Sequence, residues 1–304
     1  GKTSLLKALY TAIRTLEMYR RGDEPGSLNT ILAHKLSGTF QCDKIGDLVT
    51  TRSTSSLSFS MNVDDQAFSY QFGNNTRRKI AGAENTIEPR VSNSIFLPAR
   101  EVLSLQNLIL QTWEVDRAFG FDETHHDLAQ ALSQRGSTDQ FADAREKLEN
   151  LIGGYFELDD HAGAGVQKRQ AAIHHRDNSR EREEDCILFI LLNNSYLDTN
   201  SIIFLDEPEA ALLPTTISRL LEMIAILSTQ GIQFFLATHS SGVCKKFHLL
   251  CQTLSMSIPI IANEGDTWAQ HDLLDGISTN SSPMSLFVSP KKRSIWRSHD
   301  PHRW

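Results

Sequence analysis

Apolar residues recur at helical spacing over residues 3–16, at Leu5, Leu6, Ala8, Leu9, Ala12, Ile13 and Leu16. The spacing predicts an amphipathic helix that opens directly on Gly1-Lys2-Thr3 and ends in the glycines and polar residues of 22–26. The period then changes to two. Leu57, Phe59, Met61 and Val63 alternate with other residues, as do Phe68, Tyr70 and Phe72, and Asp64, Asp65 and Gln66 separate the two runs. An antiparallel hairpin is expected there. A turn-rich stretch follows to residue 94, and Ile95-Phe96-Leu97 forms a short apolar strand that Pro98 stops.

Residues 100–151 read as mostly helical. Residues 162–184 are polar and carry little period, and their charges crowd together at Arg176, Asp177, Arg180, Glu181, Arg182, Glu183 and Glu184. A surface loop or helix start is expected for them. From Cys186 the order returns as an apolar run to Leu192, a strand over 202–205, a helix over 215–229 and a strand over 234–237. Continuous apolar strands around an amphipathic helix predict a βαβ unit of a parallel sheet. Beyond Lys246 the pattern weakens. Residues 290–304 combine Lys291, Lys292, Arg293, Arg297 and Arg303 with two tryptophans and no period, and no folded structure is expected from them.

With 40% hydrophobic and 22% charged residues over 304 positions, disorder, collagen and coiled-coil arrays are excluded, and the length suffices for one large or two modest cores. Cys42, Cys186, Cys244 and Cys251 contain no CxxC pair, which argues against a zinc site or disulfide framework and for a reducing cytoplasm. The longest apolar runs fall well short of the ~20 residues of a membrane helix, and no signal-peptide pattern opens the chain. A cytoplasmic protein without membrane contact is expected. The net charge of -7 argues against a broad nucleic-acid footprint.

Three short segments carry candidate chemistry. Gly1-Lys2-Thr3-Ser4 reads as the closing half of the phosphate-binding loop G-x-x-x-x-G-K-[ST], with its first half expected upstream in a longer parent protein. Lys2 would reach the β and γ phosphates of a nucleotide, and the Thr3 hydroxyl would take one position on Mg²⁺. The second segment, Ile202-Ile203-Phe204-Leu205-Asp206-Glu207-Pro208-Glu209, delivers two adjacent carboxylates at the carboxyl end of a buried strand, where open parallel sheets bind ligands. Asp206 would hold Mg²⁺, and Glu207 would polarise a water for attack on the γ phosphate. The bland alternative for Glu207 is a solvated acid after a strand. The third segment is Thr238-His239-Ser240 at the end of the next strand, which sets His239 beside the same phosphate.

Together these pieces resemble the ABC-class ATPases, in particular the stand-alone branch of AAA family ATPases related to SMC-like and overcoming-lysogenization-defect proteins. The resemblance runs over about residues 1–250 and includes Ile95-Phe96-Leu97-Pro98-Ala99-Arg100-Glu101. It makes Gly1, Lys2, Thr3 and Ser4 the P-loop, Asp206 and Glu207 the Walker B acids, and His239 the switch histidine. It implies an α/β P-loop NTPase of ABC-ATPase-like fold, with a mainly parallel sheet, an antiparallel β-subdomain and a helical insertion. The implied division is an ATPase domain over 1–285, with the β-subdomain at about 36–97, the insertion at about 100–185 and the Walker B and switch region at 186–250. Residues 286–304 would be a disordered or aberrant tail.

The resemblance further implies ATP and Mg²⁺ as cofactors, a homodimer formed on ATP binding, and a driven effector such as a nuclease or toxin in DNA maintenance or phage defence. Contact with nucleic acid is implied by the resemblance alone. ATP would lie between two protomers, with a signature serine of one facing the γ phosphate of the other. Ser179 is the serine in the matching place, within Asn178-Ser179-Arg180-Glu181-Arg182-Glu183 and without the usual glycine pair. Leu213 stands where the family commonly has a His or Asn before the proline. These departures leave a second expectation, an inactive fragment or decayed homologue serving at most as an interaction module.

Overall fold

The apolar runs ending at Leu97, Leu205 and Ala237 form the centre of a six-stranded sheet in a computed structural model. It describes residues 1–21, 26–49, 56–99, 102–116, 120–134, 136, 140–152, 154–160, 169–175, 183–210, 214–264, 267–276 and 282–288. Along the chain lie α1 (Lys2–Met18), α2 (Leu28–Phe40), β1 (Leu57–Val63), β2 (Gln66–Phe72), β3 (Glu84–Asn85) and β4 (Ser94–Leu97). Then come α3 (Gln106–Gln111), α4 (Glu123–Ser133), α5 (Ala142–Ile152), β5 (Gly154–Asp160), β6 (Arg169–His175) and α6 (Glu183–Asn193). The last group is β7 (Ile202–Asp206), α7 (Pro214–Thr229), β8 (Gln233–Ala237), α8 (Ser241–Leu254), β9 (Pro259–Glu264), β10 (Thr267–Asp272) and β11 (Ser282–Val288).

The main sheet runs β10-β9-β11-β8-β7-β4. Strands β4, β7 and β8 are parallel, with Leu97 opposite Leu205 and Asp206 opposite Ala237. The expected βαβ unit is therefore present as β7-α7-β8. The expectation of a mainly parallel sheet needs correction, because β11 pairs antiparallel with both β8 and β9, and β9 with β10. Only residues 265–266 separate Glu264 from Thr267, too few for a parallel crossover, so β9 and β10 turn back on one another, while β11 runs in the same direction as β10 and pairs with the other edge of β9.

Alternation along the central strands divides the core in two. Ile95, Leu97, Ile203, Leu205, Phe234 and Leu236 join residues of α4, α6, α7 and α8 on one face. Phe96, Ile202, Phe204, Phe235 and Ala237 join α1, α2 and the β1–β2 hairpin on the other. On this second face Tyr10 of α1 meets the rings of Phe96 and Phe204 edge-on at 5.5 Å each, and Phe204 stacks on Phe235 at 5.1 Å. Each such buried ring contributes about 1.5–3 kcal/mol of apolar burial, and together they seat α1 flat against the sheet.

The hairpin forms as expected, with Leu57 opposite Phe72 and Val63 opposite Gln66, and β3 adds to its edge. The antiparallel sheet thus lies within the span 36–97, whose first residues belong to α2 and whose last belong to the main sheet. Gly46 packs under the loop before Ile80: its N–H donates to the Thr76 carbonyl at 2.7 Å, and a Cβ there would run into the Asn74 carbonyl. One expectation for 162–184 is overturned, since Arg169–His175 is a strand paired antiparallel with β5. A two-stranded ladder is held by backbone hydrogen bonds, which need no apolar alternation to announce them. Residues 286–288, expected in the tail, belong to β11, and 289–304 lie outside the described residues.

Helix α4 is fastened to α1 and α2 by buried charge. Tyr10 Oη donates to Asp127 Oδ2 at 2.7 Å, Arg14 Nε at 3.2 Å and Lys35 Nζ at 3.3 Å, while Lys35 also reaches Glu123 Oε1 at 2.6 Å. Burial alone would raise the Asp127 carboxyl, but Arg14 and Lys35 hold it below its ordinary range. Burial dominates at Glu123, which is pushed up to about 7 against the pull of Lys35. No helix among the described residues is long and apolar enough to cross a membrane.

Candidate active site

The first turn of α1 and the carboxyl ends of β7 and β8 meet at one place. Gly1 stands at the N-cap of α1 without a side-chain cap, and the first turn holds no acidic residue. The positive end of the helix is therefore not neutralised by its own sequence, the arrangement that favours an anion. Lys2, on the first turn, is buried rather than splayed into solvent. Its Nζ donates to the Thr238 carbonyl at 2.7 Å and lies 2.9 Å from His239 Nδ1. Burial lowers the pKa of this amine, with Glu207 and Glu209 pulling the other way.

Because Lys2 donates to Nδ1, the His239 hydrogen belongs on Nε2. That nitrogen faces Glu207 Oε1 at 3.1 Å. A lysine, a histidine and a glutamate thus form one row across three segments that the sequence keeps far apart. Glu207 itself adopts a left-handed backbone, φ 46°, a conformation that glycine takes far more readily than a residue with a Cβ, and its N–H donates to the Ala237 carbonyl at 2.8 Å. That conformation costs about 1–2 kcal/mol for a residue with a Cβ, and the bond to β8 holds it in place.

The metal-ligand expectations also converge. Thr3 Oγ1 donates to Asp206 Oδ1 at 3.0 Å. Asp206 ends β7 almost fully buried, and burial raises its pKa, with the Thr3 hydrogen bond opposing and the Glu207 charge adding. One helical turn on from Thr3, Lys7 reaches Asp122, the N-cap of α4, at 2.5 Å.

The structure brings Lys2, Thr3, Asp206, Glu207 and His239 together at the end of α1. Gly1 supplies the helix cap and its carbonyl accepts from Leu5 N–H at 3.1 Å, while Ser4 points outward and is exposed. Ser179 lies outside the described residues, as do Leu213, Arg100 and Glu101. Sequence reasoning gave no role to Glu209, whose Oε1 accepts from Thr238 Oγ1 at 2.6 Å, His239 N–H at 2.7 Å and Ser240 N–H at 3.1 Å. It also passed over Lys7, although its i+4 spacing from Thr3 puts the two on one face of α1. Cys244 and Cys251 are buried with thiols pushed up to about 12 by that burial, which disfavours the reactive thiolate.

A helix N-terminus bearing Gly-Lys-Thr, set against parallel strands that end in Asp-Glu and Thr-His, is the arrangement of a P-loop NTPase. Residues 171–245 match the family described as "AAA domain, putative AbiEii toxin, Type IV TA system". That is a P-loop NTPase family, for which a nucleotide is the ligand. The match spans Asp206, Glu207 and His239 and leaves out the Gly1–Ser4 segment. No curated protein matches the chain.

Proposed function

We propose that this chain is the catalytic core of an ATP-hydrolysing enzyme that pairs with a second copy on binding ATP and drives an effector. The observation that carries the reading is the row Lys2, His239 and Glu207 beside the Thr3–Asp206 pair, gathered where the first turn of α1 meets the carboxyl ends of β7 and β8. The matched family's description as a toxin of a Type IV TA system supports a toxin-associated ATPase; the driven effector of this proposal is a nuclease or toxin, and its setting is phage defence or DNA maintenance.

Each side chain then has a distinct task. Lys2 meets the β and γ phosphates as a point charge, exchanging its contacts with Thr238 and His239 for phosphate oxygens. Glu207 accepts the proton of the attacking water as the water oxygen bonds to the γ phosphorus and the bond to the ADP oxygen breaks. The His239 Nε2–H holds one oxygen of Glu207, which leaves the other free to face that water. A hydroxyl and a carboxylate 3.0 Å apart form the all-oxygen donor set that suits Mg²⁺. When bound, the ion would neutralise charge on the phosphates, and Thr3 and Asp206 are the residues that would hold it.

The test is Glu207→Gln in the full-length protein. The amide keeps the size of the side chain and loses the base, so hydrolysis should fall by about 10²–10⁴ while ATP is still bound. Hydrolysis at the wild-type rate would remove Glu207 from the chemistry. A wild-type protein that binds no ATP would favour the inactive interaction module instead.

A further inference from the structure

We infer that Glu209 is a positioning residue, which sets the switch loop Thr238-His239-Ser240 in register with the Walker B turn. The inference rests on the ATPase reading for its kinetic consequence and on geometry alone for its structural one. A single oxygen, Oε1, accepts three hydrogen bonds from three consecutive residues: the Thr238 hydroxyl, the His239 amide and the Ser240 amide. Successive backbone amides that converge on one anion make a concave nest, which fixes the local backbone. Here the anion comes from the protein, two residues after Glu207.

The consequence reaches the chemistry through His239. Its ring spans Lys2 and Glu207 with separations of 2.9 and 3.1 Å, so both contacts depend on where the backbone at 239 stands. Glu209 holds the amide of that same residue. The Thr238 carbonyl, which accepts from Lys2, belongs to the residue whose hydroxyl Glu209 also holds. Glu209 thus touches neither Lys2 nor Glu207 in this network, yet fixes the loop through which both are aligned. Ser240 extends the device, since its side chain caps α8 by accepting from the Val243 amide and its own amide is held by Glu209. Through Ser240 the cap of α8 is thus tied to Glu209, in the turn that follows β7.

The experiment compares Glu209→Ala and Glu209→Gln with the full-length wild type, by steady-state kinetics and by amide hydrogen exchange over residues 238–243. Glu209→Ala releases the loop, and kcat should drop by about tenfold to a hundredfold with KM for ATP within about twofold. Glu209→Gln retains a carbonyl oxygen facing the same donors but without the charge, and should recover part of the loss. Exchange at His239 and Ser240 should quicken in the alanine variant and to a smaller extent in the glutamine variant. Wild-type kcat in Glu209→Ala, or glutamine as damaging as alanine in a folded protein, overturns the inference. Should the wild type itself hydrolyse no ATP, the ATPase reading fails separately. Exchange then still decides, and equal protection in wild type and Glu209→Ala shows that Glu209 does not hold the loop.

Discussion

The Thr3 hydroxyl donates to Asp206 at 3.0 Å, joining the first turn of α1 to the end of β7. Burial raises the Asp206 carboxyl above its ordinary range despite that bond. A proton and a cation compete for this carboxylate, and the raised pKa brings the competition nearer neutral pH. The Mg²⁺ concentration needed for half-maximal ATP turnover should therefore rise as the pH is lowered from about 7 to about 5. Asp206→Asn should raise the Mg²⁺ requirement at every pH. A requirement that stays flat over that range, in protein still folded by circular dichroism, would count against Asp206 as the metal ligand.

The line from sequence to this pair was short, because strand ends and helix starts write themselves as motifs. Apolar runs that stop at Asp206 and Thr238 locate the carboxyl edge of a sheet, and Gly-Lys-Thr before a helical period locates α1. The contacts made by Lys7, Arg14 and Lys35 left no such mark. On a helical pattern these residues look like a solvated face, and their acidic partners Asp122, Glu123 and Asp127 stand on a helix far along the chain. Strand β6 was hidden for a related reason, since its backbone ladder leaves no period to read. Glu209 was visible as a residue but not as a clamp, because the donors it gathers belong to a loop on the neighbouring strand.

Lys2 is held by the loop it would help to organise around phosphate. Removing its ammonium deletes a charge-assisted contact worth about 1.5–3 kcal/mol, so Lys2→Ala should weaken ATP binding by roughly tenfold to a hundredfold. Titration of a fluorescent ATP analogue measures this directly. Unchanged affinity would mean that Lys2 serves only Thr238 and His239.

Glu123 offers a test of stability that is independent of nucleotide. Its pKa, pushed up to about 7 by burial, means that the folded protein binds a proton there that the unfolded chain has released. Stability from this group is fully present below its unfolded value and is lost as the pH rises through about 7. Glu123→Gln cannot titrate. Wild type should therefore lose stability relative to the variant between about pH 5 and pH 8, as read from urea midpoints. A constant difference between the two proteins across that range would show that Glu123 is ionised throughout, in pair with Lys35.

Assembly is the most exposed part of the proposed function. A nucleotide site completed by a second copy binds ATP more tightly once that copy arrives, so ligand and association stabilise one another by mass action. The Glu207→Gln protein, which holds ATP without consuming it, should shift from monomer to dimer in sedimentation when ATP and Mg²⁺ are added, and return when the nucleotide is removed. The proposed trans contact is Ser179, and its neighbours work against it. Glu181, Glu183 and Glu184 follow within five residues, and carboxylates near an incoming γ phosphate repel it. Neutralising those three acids to glutamine should lower the ATP concentration at which the dimer appears, since the repulsion is removed and Ser179 is kept. Ser179→Ala should raise it. A Glu207→Gln protein that binds ATP yet sediments as a monomer at every concentration would place the whole catalytic site within a single chain, with Lys2, Thr3, Asp206, Glu207 and His239 sufficient for it.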